Sequence, residues 1–210
     1  MKFLAALIAL LALAIPARAQ DFDSYVLALS WSPSYCASPG AAKRDPMQCG
    51  VKRGFIVHGL WPQAEDGPLD TCPPAEPKNL PTQFKRQQSN MIPSLSLIEH
   101  EWDRHGGCTG LTPETYFGQM RKIASNVYFP LPFRVSARPP ATTTAAALRA
   151  EFLKVNRSLK PDAIAIVCRK QELQEVRLCF SKSGASRACG RGVRDTCPMG
   201  KISVPAASAP

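Results

Sequence analysis

The eight cysteines constrain the fold more than any other feature of this sequence. An even number of cysteines in an exported chain predicts disulfides, whereas in a reducing compartment the same residues favour metal binding or thiol chemistry. No two of them have the C-x2-C spacing typical of a zinc site, so four disulfides are expected. Spacing alone leaves the pairing open, since eight cysteines allow about 105 connectivities. The eight are Cys36, Cys49, Cys72, Cys108, Cys168, Cys179, Cys189 and Cys197.

The N-terminus predicts the export that disulfides require. Lys2 precedes an apolar run over residues 3–15, and Pro16 and the small-residue site 17–19 follow, which is the layout of a secretory signal peptide. A membrane anchor is the alternative, but the run is shorter than the roughly 20 residues that span a bilayer. We expect a signal peptide at 1–19, a single domain at 20–210 and a periplasmic or secreted location.

The charge balance indicates a polyanionic partner without selecting one. The formal net charge is +10, and loss of Lys2 and Arg18 with the signal peptide lowers it to +8 (24 basic against 16 acidic side chains). A basic exported protein can meet RNA, DNA, anionic lipid or a cell-wall polymer. No later segment is apolar and long enough to cross a membrane, so no membrane partner is expected.

The residue patterns predict an α+β fold with strands mixed among helices. β-forming runs at 24–32, 54–61, 162–170 and 173–180 predict strands. Amphipathic spacing predicts helices at 111–129 and 142–159, with Thr112 as the N-cap and Pro113 as the first residue of the former. A third helix is expected to stop at the glycine pair 106–107. The proline-rich segment 62–93 reads as a long loop, and the tail 202–210 as disordered.

Histidine is confined to two short segments, which suggests a site. His58 lies in FIVHGLWPQ, and His100 and His105 lie in HEWDRHGGC. At the 100° per residue of an α-helix, Glu101 and Arg104 share an arc with both of those histidines. Burying several charges is costly, and a purely structural helix gains little from such a group. A solvated face that happens to contain histidines is the alternative interpretation.

Several chemistries can be compared with this residue set. A zinc site of the H-E-x-x-H type needs histidines four residues apart, but His100 and His105 are five apart. No G-x-S-x-G segment provides a serine nucleophile, and oxidised cysteines cannot act as nucleophiles. Phosphodiester transfer within RNA fits, because the 2′-hydroxyl is the nucleophile while one imidazole accepts a proton and another donates one. A binding protein without activity and a structural or lipid-surface protein remain alternatives.

Both histidine segments resemble the two signature segments of the ribonuclease T2 family, in their order and separation. LALSWSPSYC resembles the N-terminal strand of that family, and AIAIVCRK through VRLCF resembles its C-terminal strands. The resemblance covers nearly all of the chain after residue 19, and is strongest to bacterial exported members. It implies a central, mainly antiparallel sheet flanked by helices. It also implies a monomeric endoribonuclease that cleaves single-stranded RNA through 2′,3′-cyclic phosphates, without metal or cofactor and without cleaving DNA.

The resemblance also implies roles for six residues. His58 and His105 would be the catalytic pair, with His58 as acid and His105 as base, although the residues alone leave this assignment open. Glu101 would support the charge that develops between them. His100 and the cation at Arg104 would bind phosphate, the family usually having lysine at the latter position. Trp61 would stack on a base, or else pack in the core.

A disulfide pairing is implied by the same resemblance. The second of its four pairs would join the loop that follows His58 to the segment that carries His105. Loss of that bridge should therefore cost activity as well as stability. The implied pairs are Cys36–Cys49, Cys72–Cys108, Cys168–Cys197 and Cys179–Cys189.

Overall fold

The computed structural model describes residues 21–69, 72–134 and 138–206. The predicted signal peptide lies outside these ranges. The strands of the described residues are β1 Ser24–Trp31, β2 Phe55–Ala64, β3 Gly67–Pro68, β4 Thr142–Thr144, β5 Ile164–Arg169, β6 Glu172–Ser181 and β7 Lys201–Ser203. They form one sheet in the order β3-β2-β1-β6-β7-β4, and β5 also pairs with β6. Every pairing is antiparallel except that of β6 with β7, so the predicted mainly antiparallel sheet is confirmed.

Helices pack against this sheet and complete the predicted α+β class. In the described residues they are α1 Ser32–Cys36, α2 Ala41–Arg44, α3 Pro46–Cys49, α4 Thr82–Gln88, α5 Leu95–Glu101, α6 Gly107–Thr109, α7 Pro113–Ala124 and α8 Ala145–Val155. Thr112 caps α7 by accepting a hydrogen bond from the Thr115 amide, as its sequence predicts. The apolar core lies between the sheet and helices α5, α7 and α8, and includes Leu27, Trp102, Tyr116 and Phe152. No helix of the described residues is long and apolar enough to span a membrane.

The predicted loop at 62–93 is wrong at its start and in its interior. Strand β2 continues through Pro62 to Ala64, because β3 pairs only with the last two residues of β2 and leaves Pro62 with β1 alone as neighbour. Helix α4 forms within the segment and packs Phe84 against Phe117 of α7, with ring centroids 5.6 Å apart. Apolar contact of this kind outweighs the loop propensity of the surrounding prolines.

The predicted helix stop at the glycine pair is also wrong. After α5 the chain forms a π-helical turn, Trp102–Gly106, continues as α6, and ends at Gly110 in the left-handed conformation with φ 66°. The two glycines instead permit close packing. A Cβ on Gly106 would lie 2.1 Å from the Trp102 ring, and one on Gly107 would lie 2.0 Å from the Pro73 carbonyl oxygen.

The tail is ordered where disorder was expected. Strand β7 pairs with β4, and Ile202 and Val204 are buried. The indole nitrogen of Trp31 donates a hydrogen bond of 2.9 Å to the carbonyl oxygen of Pro205. The prediction of disorder from residue 202 is therefore wrong up to residue 205, because two apolar side chains anchor the segment; residues 207–210 lie outside the described ranges.

All eight cysteines are paired, in the arrangement that the resemblance implies. The pairs are Cys36–Cys49, Cys72–Cys108, Cys168–Cys197 and Cys179–Cys189. The second pair joins the segment after β3 to α6 and so connects the two histidine segments covalently.

The burial of the tail can be tested with Ile202→Ala. The side chain is 0% exposed, so its truncation should lower the free energy of unfolding by about 2–5 kcal/mol. Met199→Ala is the control, because Met199 is fully exposed and should change this free energy by less than about 0.5 kcal/mol. Both are measured by urea denaturation of the oxidised protein. Equal effects of the two substitutions would contradict the packing of the tail.

Candidate active site

His58 occupies a β-bulge in the central sheet. Ala28 of β1 pairs with Gly59 and Leu29 pairs with Val57, so His58 is an extra residue of β2 without a partner in β1. Bulges re-aim side chains and recur beside active sites. The imidazole is 27% exposed, and therefore faces a cleft while its backbone stays within the sheet.

Glu101 and His105 come from the helical segment that crosses this strand. Glu101 is the last residue of α5, and His105 lies in the π-helical turn that follows. Such turns have hydrogen bonds five residues apart and are frequent at functional sites. Oε1 of Glu101 is 3.5 Å from Nε2 of His58, and Oε2 is 4.0 Å from Nε2 of His105. The carboxylate thus lies between the two imidazoles.

The Glu101 carboxylate is buried, with its side chain only 1% exposed. Oε2 accepts a hydrogen bond of 2.8 Å from the Trp61 indole nitrogen, whereas Oε1 has no hydrogen-bond partner among the described residues. Gly59 makes room for this carboxylate, since a Cβ there would lie 1.7 Å from Oε2. Burial raises the pKa of Glu101 to about 7, although the charge on His58 and the bond from Trp61 act in the opposite direction.

The two imidazoles have opposite pKa shifts. Burial acts to lower the pKa of His58, but a hydrogen bond to Glu175 and the charges of Glu101 and Glu175 outweigh it, so the pKa is raised. Burial lowers the pKa of His105 to about 3, and the positive charges of His100, His58 and Arg104 act in the same direction. Near neutral pH, His58 is therefore the better proton donor and His105 the better acceptor.

His100 and Arg104 lie in different clefts. His100 lines a cleft of about 440 Å³ together with Ser30 and His58. Arg104 lines a second cleft of about 250 Å³ together with His105. The two predicted phosphate ligands thus lie beside different imidazoles, His100 beside His58 and Arg104 beside His105. Burial lowers the pKa of His100, as do the charges of His58 and Arg104.

Trp61 contacts His58, Glu101 and His105. Its ring stacks on His105 with centroids 5.5 Å apart, and it meets the edge of His58 at 5.3 Å. The guanidinium carbon of Arg177 is 5.0 Å from the Trp61 ring centroid. Together with the hydrogen bond to Glu101, these contacts make Trp61 a support for the site. Its predicted stacking on a nucleic acid base stays a prediction.

Three residues of the site escaped the sequence analysis: Ser30, Glu175 and Arg177. Nδ1 of His58 is 2.7 Å from Oε1 of Glu175 and 3.1 Å from Oγ of Ser30. Arg177 binds the other carboxylate oxygen of Glu175. A usable signal was present, because two opposite charges two residues apart, Glu175 and Arg177, share one face of the predicted strand. In the described residues, no group of three or more His, Cys, Asp or Glu side chains is arranged to hold a metal ion.

Comparison with known proteins agrees with this fold. The profile of the Ribonuclease T2 family matches residues 22–189, and the chain therefore belongs to that family. It is 38% identical over 99 residues to a ribonuclease of Aeromonas hydrophila, a match that covers 47% of this chain and 43% of the relative. It is 28% identical over 156 residues to Ribonuclease I of Escherichia coli strain K12, covering 55% and 58% of the two chains.

These matches span less than two thirds of each curated relative. A solved structure, an RNase-related protein from Calystegia sepium, has the same fold with a TM-score of 0.70 and 22% sequence identity. It covers 90% of this chain and 100% of its own.

The raised pKa of Glu101 predicts an unusual pH dependence of stability. Because the folded-state pKa of about 7 lies above the unfolded value, Glu101 stabilises the fold below pH 4.5, and this contribution is lost as the pH rises through 7. Glu101→Gln should therefore raise the free energy of unfolding at pH 8, by on the order of 1–3 kcal/mol, and change it much less at pH 5.

Urea denaturation at the two pH values measures this difference. Glu114→Gln serves as the control, since Glu114 is exposed at the start of α7 and should have the same small effect at both. A Glu101→Gln variant that is no more stable than the wild type at pH 8 would contradict a pKa of Glu101 that burial raises to about 7.

Proposed function

We propose that the protein is an exported endoribonuclease that cleaves single-stranded RNA by transphosphorylation, without a metal ion. One observation carries this proposal: a buried carboxylate lies between two imidazoles whose pKa values are shifted in opposite directions. General acid–base catalysis needs one protonated and one unprotonated group at the same pH. Membership of the ribonuclease T2 family supports the choice of RNA.

The chemistry can be written with balanced bonds. Neutral His105 accepts the proton of the RNA 2′-hydroxyl, whose oxygen then forms a bond to phosphorus. The bond from phosphorus to the 5′-oxygen breaks, and the His58 imidazolium protonates that oxygen. The products are a 2′,3′-cyclic phosphate and a free 5′-hydroxyl. His100 beside His58 and Arg104 beside His105 bind the phosphate from its two sides, while Glu101 between the imidazoles stabilises positive charge as the proton moves.

The chemistry explains the choice of RNA as substrate, and the disulfides and the N-terminal sequence indicate the compartment. DNA lacks the internal 2′-hydroxyl nucleophile and should resist cleavage. The net charge of +10 favours a polyanion. Four disulfides and the sequence at 1–19 favour the periplasm or the extracellular space. We propose a monomer without a cofactor.

The decisive experiment is mass spectrometry of a short RNA oligomer incubated with the oxidised protein in EDTA. We expect cyclic-phosphate ends from RNA and an intact matched DNA oligomer. His58→Ala and His105→Ala should each lower kcat by about 100- to 10,000-fold, because each removes a proton-transfer group. His100→Ala is the comparison, because loss of a phosphate contact should act mainly through KM.

Other outcomes would overturn the proposal in distinguishable ways. Intact RNA in EDTA together with cleavage in added zinc would indicate a metal-dependent hydrolase. Intact RNA under both conditions, with the oligomer retained by the protein in a binding assay, would indicate an RNA-binding protein.

The pH profile of kcat/KM provides an independent check. We expect the rate to rise through the lowered pKa of His105, near 3, and to fall above pH 6.5 as His58 loses its proton. The measurement is the initial rate on a dinucleotide substrate at constant ionic strength. A profile that still rises above pH 8 would show that protonated His58 is not the acid.

A further inference from the structure

We propose that Glu175 is a positioning residue for His58, holding Nδ1 as a hydrogen-bond donor so that Nε2 presents its proton to the leaving oxygen. This inference rests on the proposed function and adds a residue to it. Neither histidine segment contains Glu175, which lies in the middle of β6, 117 positions further along the chain than His58.

The hydrogen-bond pattern determines which nitrogen of His58 carries the permanent proton. Oε1 of Glu175 lies 2.7 Å from Nδ1, and an ionised carboxylate can only accept hydrogen bonds. Nδ1 must therefore be the donor. Ser30 donates to the same Oε1 at 3.3 Å, which leaves its oxygen lone pairs free to accept from Nδ1 at 3.1 Å. Nε2 is left for the cleft, on the side of Glu101.

Arg177 fixes the other half of the Glu175 carboxylate. Its Nε and Nη2 lie 2.9 and 2.8 Å from Oε2, so the guanidinium binds one oxygen and leaves the other to His58. Burial alone would raise the pKa of Glu175, but its bonds and ion pairs with His58 and Arg177 lower it. Glu175 thus stays ionised to lower pH than Glu101.

The backbone around Glu175 gives it the rigidity that positioning requires. β6 lies between β1 and β5, and Glu175 pairs with Ser30 on one side and Val167 on the other. Its side chain is 11% exposed. The two carboxylates therefore act on opposite nitrogens of one ring, Glu175 as a fixed anchor at Nδ1 and Glu101 as a neighbour of Nε2. A carboxylate that orients an imidazole in this way is a recurring device in proton-transfer sites.

The charge on His58 depends on groups from several elements. The anions stabilise the imidazolium, whereas the cations and the other imidazoles oppose it. These groups are Glu175 and Arg177 of β6, Glu101 and His100 of α5, and His105 of the π-helical turn.

The first test is Glu175→Gln, which keeps the shape and an acceptor oxygen but removes the charge. We expect kcat to fall by about 10- to 1000-fold, with KM changed less than about threefold, because Glu175 does not touch the substrate. The falling limb of the pH profile should move to lower pH by about one unit, since the imidazolium loses its anchor. Glu172→Gln is the matched control: it removes a carboxylate from the same strand and should leave all three quantities unchanged.

Two further measurements separate positioning from structural damage. Arg177→Gln removes the cation that opposes protonation of His58, so it should move the same limb to higher pH, opposite to Glu175→Gln. Nitrogen-15 NMR of the three histidines, with His58 assigned through His58→Ala, reports the tautomer directly. In the wild type, neutral His58 should carry its proton on Nδ1, and in Glu175→Gln its pKa should be lower.

The outcomes distinguish this inference from the proposed function. A Glu175→Gln variant with the wild-type pH profile and an unchanged His58 titration would overturn the positioning role. Shifts of the falling limb in the same direction for Glu175→Gln and Arg177→Gln would also overturn it. If the wild type leaves RNA intact but the His58 titration still shifts in Glu175→Gln, the proposed function fails while the pairing of the two residues is supported.

Discussion

The burial of the Glu101 carboxylate is the constraint on which the rest of the site depends. A buried carboxylate oxygen without a hydrogen bond is costly, and here it is placed 3.5 Å from one imidazole while its partner oxygen is 4.0 Å from another. This position is available only because residue 59 has no side chain and the Trp61 indole holds the second oxygen. Burial dominates at His105 and lowers its pKa, whereas the carboxylates of Glu175 and Glu101 outweigh burial at His58 and raise its pKa.

The elements on both sides of Glu101 hold its carboxylate in place. The Cys72–Cys108 disulfide fixes the end of the π-helical turn that carries His105. Gly106 of this turn packs against the Trp102 ring, and Gly107, which follows it, packs against the chain at Pro73. On the other side, His58 is part of β2, which pairs with the central strand β1.

The sequence was sufficient for the parts of this structure that depend on local pattern. Strands β1, β5 and β6 and the capped helix α7 were predicted because alternation and capping are local signals, and the histidine segments marked the site itself. The π-helical turn was missed because α-helical periodicity was assumed. Ser30 and Glu175 were missed because they meet His58 only through sheet pairing, over 28 and 117 positions. The ordered tail was missed because two apolar residues, Ile202 and Val204, are too weak a pattern to predict a strand.

The bulge at His58 has a consequence for how such a chain can vary. With His58 absent, Val57 and Gly59 would be consecutive, and β2 would pair with β1 in unbroken register along its length. Every other side chain of β2 would keep its face, and the core would be unchanged. The sheet therefore carries His58, the proposed proton donor, as a single inserted residue. Removal of that one residue would therefore take away the imidazole and leave the strand pairing on both sides of it in place.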